Sequence, residues 1–77
     1  MNKQRRKALQ NILERLDEIR SDLSDVVTEE QDAFDNMPEG LQYSEKGEAI
    51  EENAQELETA VDDVSIAFDA IQGVLER

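Results

Sequence analysis

The chain has no cysteine, histidine or tryptophan, a single proline, and three aromatic residues among 77. Without Cys or His it can form no zinc finger and no disulfide framework, and it offers no thiolate nucleophile and no imidazole base. No run approaches the roughly 20 apolar residues of a membrane-spanning helix, and no basic-then-apolar signal segment opens the sequence. No membrane association is therefore predicted. Positive charge is also scarce: eight Lys+Arg stand against twenty Asp+Glu, for a formal net charge of −12. Direct nucleic-acid binding is disfavoured at that charge, and the four bases Lys3, Arg5, Arg6 and Lys7 do not reverse it.

The abundant carboxylates do not form a recognisable metal or catalytic motif. The alternating Asp/Asn-then-Gly pattern of a calcium loop is missing, and bundle di-metal sites need Glu-x-x-His pairs. Glu29-x-x-Asp32 precedes Glu48-x-x-Glu51, the reverse of the order in magnesium-holding helical pyrophosphatases, and acidic helices produce such spacings by chance. Tyr43 and Ser44 have no base to activate them and read as a loop anchor and a helix cap. The sequence predicts no enzyme, no cofactor and no metal.

High charge with few aromatics is a signature of disorder, but the apolar periodicity opposes it. Leu9, Ile12, Leu16, Ile19, Leu23 and Val26 step by threes and fours, and Glu30, Ala33 and Met37 continue the ladder. Leu13, Val27 and Phe34 each sit one residue beyond a rung and widen the stripe. In the second half Ile50, Ala54, Leu57, Val61, Val64, Phe68, Ile71 and Leu75 make eight consecutive rungs, flanked by Ala60, Ala67 and Val74. Ladders of this length mark amphipathic helices of a bundle or coiled coil. Asn36-Met37-Pro38-Glu39-Gly40 breaks the first helix, with Gly47 a further breaker, and Ser44 is the N-cap of the second. The prediction is one all-α domain over 1–77: helix about 3–36, connection about 37–44, helix about 45–76, each helix roughly 50 Å long. Equal lengths and a short connection predict an antiparallel, coiled-coil-like two-helix hairpin.

Both stripes are three positions wide, where a two-helix seam needs two, so each helix expects more than one neighbour. The simplest solution is a homodimer forming a four-helix bundle. The expected seam comprises Leu9, Ile12, Leu16, Ile19, Leu23 and Val26 against Ile50, Leu57, Val61, Val64, Phe68 and Ile71. Docking of the spare stripe on another protein is the alternative.

Charge is segregated along this hairpin. Residues 22–58 hold thirteen acids and one base, Lys46, so this stretch alone carries the net −12. The arms outside it, +3 over 1–21 and −3 over 59–77, cancel. Side by side, the arms should set Arg20 against Asp62 and Asp63, and Arg5 or Lys7 against Glu76. Twelve charges over roughly 22 Å of paired helix is about one per 1.8 Å, close to the linear density of duplex DNA at about one per 1.7 Å. Glu29, Glu30, Asp32, Asp35, Glu48, Glu51, Glu52, Glu56 and Glu58 are the candidate partner-binding carboxylates, suited to a protein with a basic surface. A solvated face that only keeps a small helical protein soluble is the plainer alternative. Salt adaptation would spread the acids evenly.

The connection Glu-Glu-Gln-Asp-Ala-Phe-Asp-Asn-Met-Pro-Glu-Gly-Leu-Gln, Glu29 to Gln42, followed by Ser44-Glu45-Lys46-Gly47-Glu48, resembles a family of short acidic helical-hairpin proteins of bacteriophages and prophages. Gly40 stands where members of that family often carry Ser or Asn. The resemblance implies a viral origin and a host-cytoplasm location, and brings no site residues with it. Two functions follow as expectations. One is a DNA-mimic-like decoy or inhibitor engaging the nucleic-acid-binding surface of a host or defence protein. The other is a self-assembling coiled-coil adaptor or virion accessory.

Overall fold

The first helix starts where a side chain can take up a free backbone donor. Asn2 is extended, and its Oδ1 accepts from the Arg5 N–H at 2.8 Å. From there, in a computed structural model that describes all 77 residues, α1 runs Lys3–Asp35, a single turn α2 runs Glu39–Gln42, and α3 runs Glu45–Leu75. Ser44 caps α3 as expected, its hydroxyl oxygen accepting from the Gly47 N–H at 3.3 Å. The connection is more ordered than the breakers imply, because Pro38 presets the turn that becomes α2. The Pro38 carbonyl accepts from Leu41 and Gln42, at 2.8 and 3.2 Å. The Gln42 side-chain amide then donates at 3.0 Å to the Phe34 carbonyl, which also accepts from the Met37 N–H at 3.1 Å, tying the connection to the end of α1.

The two long helices pack side by side in opposite directions. Arg6, near the start of α1, donates to the carbonyl of Leu75 at the end of α3. At mid-length Arg20 meets Ser65 at 3.3 Å. Nearer the connection, Phe34 and Ala54 line one groove. The covered positions of α1 include Arg6, Leu9, Leu13, Leu16, Arg20, Leu23, Val27, Glu30 and Phe34, spaced by threes and fours and continued by Met37 in the connection, with Ile12 and Ser24 half-buried on either side of that line. Those of α3 include Gly47, Ile50, Ala54, Leu57, Val61, Val64, Phe68, Ile71 and Leu75, with Ala60, Ser65 and Val74 half-buried beside them. The α3 ladder is the expected one. On α1 the seam differs from expectation at Ile19 and Val26, which are 52% and 43% exposed, and at Ala33, also exposed. Their places are taken by Arg20, Val27 and Phe34.

A single seam buries little. Only Val27, Gly47 and Ala54 are buried outright. The rod measures 58 × 15 × 13 Å, with a radius of gyration of 17.4 Å. A compact chain of this length would have a radius near 11–12 Å. It exposes 5844 Å², whereas a compact monomer of 8.8 kDa exposes about 4,800 Å².

Gly47 is not a breaker but a close-approach residue inside the first turn of α3. A Cβ there would meet the Gln42 and Leu41 carbonyl oxygens at 2.4 and 2.6 Å. In an unconstrained helix Gly→Ala stabilises by up to about 1 kcal/mol. Here the added methyl must push backbone aside, so Gly47→Ala should destabilise by about 1–3 kcal/mol. Gly73→Ala, with open space around it, should stabilise. Urea unfolding of both variants checks the opposite signs.

Candidate functional site

Helix geometry sets where the carboxylates can go. Positions one and two residues from a seam rung lie about 100° and about 200° round the helix from it, so the acids between rungs fan around the rod. Eight of the nine candidate carboxylates are exposed; Glu30, on a seam rung, is half-buried. The structure divides them rather than gathering them into one patch. Asp35, Glu51 and Glu58 line a shallow groove with Gln31 and Gln55 on one edge of the seam. Glu30 and Glu56 line a different groove, with Val26, Asn53 and Leu57. Glu29, Asp32, Glu48 and Glu52 line neither. No three carboxylates are placed to hold a metal ion.

These acids are almost unopposed within the chain. The one ion pair is Arg20 with Asp17, three residues apart on α1. Arg20 therefore does not reach Asp62 or Asp63. Its guanidinium lies 4.8 Å from the centre of the Phe68 ring and bonds Ser65 instead. At the terminal end it is Arg6, not Arg5 or Lys7, that crosses to α3, and it takes the Leu75 carbonyl rather than Glu76. A cation at the C-terminus of α3 complements that helix's dipole. Sequence reasoning missed Arg20 as a seam residue. The signal was available, since Leu13, Leu16, Arg20, Leu23 and Val27 form an unbroken three-four ladder beside the more apolar one.

The two edges of the seam differ in kind. On one, the flanking residues are polar: Ser24, Thr28 and Gln31 from α1 meet Glu58 and Asp62 from α3. On the other, Ile12, Ile19, Val26 and Ala33 recur every seven residues along α1, and Asn53, Ala60, Ala67 and Val74 do so along α3. Near the connection this second edge opens into a hollow of Ala33, Met37, Pro38, Leu41 and Ile50, with the Lys46 side chain. In an antiparallel pair, like flanks lie together, so between Arg5 at the terminal end and Lys46 at the connection this edge is an uncharged strip, with Glu30 and Glu56 beside Val26 and Asn53. No helix is long and apolar enough to cross a membrane. Compared with family models, with curated proteins and with solved structures, the chain matches none.

Unpaired, crowded carboxylates on helix surfaces repel, and dissolved salt screens that repulsion over about 8–10 Å at physiological strength. The thermal midpoint should therefore rise by several degrees between 20 and about 300 mM NaCl. Melting followed by circular dichroism checks it. A falling midpoint would show that favourable ion pairs outweigh the repulsion.

Proposed function

We propose that the chain is a non-enzymatic interaction module: a helical hairpin that dimerises into a four-helix bundle and displays its acidic half to a basic, nucleic-acid-binding surface of another protein. The observation that carries this reading is the concentration of the whole −12 net charge on residues 22–58 with a single intrachain ion pair, Arg20–Asp17, lying outside that stretch. A rigid rod whose exposed carboxylates have no cation partner within the chain presents them to a basic groove at low ordering cost. The likeness of Glu29–Gln42 to phage and prophage hairpins supports a decoy or inhibitor of a host or defence protein, acting in the host cytoplasm. Neither direct nucleic-acid binding nor membrane attachment belongs to this reading.

The self-assembling adaptor or virion accessory is the second reading. It is favoured by Ile19 and Val26, which stand 52% and 43% exposed beside the seam. Salt separates the two: a charge-driven target affinity falls steeply with ionic strength, while apolar assembly hardly responds.

The test offers purified basic DNA-binding proteins to the immobilised chain and measures affinity by interferometry. Binding should weaken at least tenfold between 50 and about 200 mM salt and should be competed by duplex DNA. Reversing Glu48, Glu51, Glu52 and Glu58 to Lys leaves every seam rung in place and should abolish it. Exchanging Lys3 and Lys7 for Gln should leave it nearly unchanged. Binding lost only with the lysines would contradict the acidic-surface reading.

A further inference from the structure

The uncharged edge has a shape, a size and a charge rim that together specify an occupant. A coiled coil that stops at two helices carries charge on both flanks of its seam. Here one flank of the pair does, with Asp17, Glu51 and Glu58. The other places Ile12, Ile19 and Val26 opposite Ala60, Ala67 and Val74, with no charge between them. Ile19 lies at the middle of α1 and is 52% exposed.

The area agrees with one further copy. The rod exposes 5844 Å², about 1,000 Å² beyond a compact monomer of its mass. A standard interface buries about 800 Å² per partner, which a face of 58 × 15 Å can supply.

The rim fixes the direction. Arg5 stands on the edge itself, seven residues before Ile12. Arg15 borders it, three residues after Ile12 on the same helix, and Arg77 follows the end of α3, three residues after Val74. The same spacing puts Asp22 and Asp63 at the middle of the edge, after Ile19 and Ala60, and Glu29 and Glu56 along its loop half, after Val26 and Asn53, where Lys46 is the one base. All eight side chains are exposed. Two copies laid loop to loop would set Glu29, Glu30 and Glu56 against themselves. Two copies laid loop to terminus set the arginines of each against the glutamates of the other, and a two-fold arrangement closes without leaving the strip open.

We propose that this edge is the surface on which a second copy docks, the two rods running in opposite directions about a two-fold axis near Ile19, with the terminal arginines of each over the acidic half of the other. The proposal rests on the dimer put forward above and adds its surface and polarity. Neither measurement below involves a basic target, so failure here and failure of the acidic-surface reading are separate results.

Sedimentation equilibrium should give twice the 8.8 kDa chain mass. Ile19→Glu should weaken self-association about a hundredfold. Ser24→Glu, which adds the same charge on the opposite edge, should leave it within a few-fold. Because Ile19→Glu could unfold a chain that needs its partner, a second measurement uses single cysteines in a sequence that has none. Ile19→Cys should form a disulfide-linked dimer on mild oxidation. Ala33→Cys should not link to itself, since its two copies would lie about 40 Å apart. A mixture of Ile12→Cys and Val26→Cys should give the mixed dimer. A monomeric wild type, a dimer indifferent to Ile19→Glu, or self-linking of Ala33→Cys as readily as Ile19→Cys would each overturn the proposal.

Discussion

Two helices share only one line of contact, and everything else in this molecule is arranged around that shortage. Of all its side chains, only Val27 and Ala54 are buried outright; the other apolar rungs keep part of their surface in water. Hydrophobic stabilisation scales with apolar area removed from water, so a seam of half-covered rungs leaves much of the available free energy unused. The long ladders are thus only partly satisfied by the fold that contains them. Ile19, Val26 and Ala33 are the exposed remainder on α1, and Ile12 beside them is half-buried.

Polar groups are placed where the shortage does least harm. Arg6 and Arg20 occupy seam positions near the terminal end and the middle, and each finds a partner on α3, the Leu75 carbonyl and the Ser65–Phe68 pair. Such cross-helix contacts fix the alignment of two otherwise repetitive ladders. At the other end alignment is set by backbone: Gln42 ties α2 to the end of α1, and the α2 carbonyls rest against Gly47. Between these clamps the acids between rungs project outward with almost no cations to meet them. Repulsion along the loop half opposes folding, while the terminal half is close to neutral.

Fold class, helix limits and the Ser44 cap were legible because each has a local cause: periodicity, Pro38, and a hydroxyl before an acidic first turn. The short helix at 39–42 was not, since its pattern is a single turn stabilised by contacts with Gly47 and Phe34 that no local pattern encodes. The α1 seam was legible only to within one residue. Two ladders share Leu9, Leu16, Leu23, Glu30 and Met37 and diverge at 12/13, 19/20, 26/27 and 33/34. Hydropathy favours the ladder with Ile19. Packing against α3 selects the ladder with Phe34 and Val27, because Ala54 leaves room for a large neighbour and Phe68 gives Arg20 an aromatic face. The apolar residues so displaced, Ile19, Val26 and Ala33, lie exposed along the edge beside the seam. The acidic residues were legible as a segregated charge, but their division between two edges depends on the seam register and emerges only with it.

The central claim is that the apolar area left open by one seam is closed by association, so that folding and dimerisation are linked. Mass action then requires the stability to depend on chain concentration. Thermal midpoints measured by circular dichroism at chain concentrations from about 2 to about 200 µM test this directly. The account predicts a midpoint that climbs by several degrees across that range. A midpoint independent of concentration, with the chain monomeric and fully helical throughout, would contradict it.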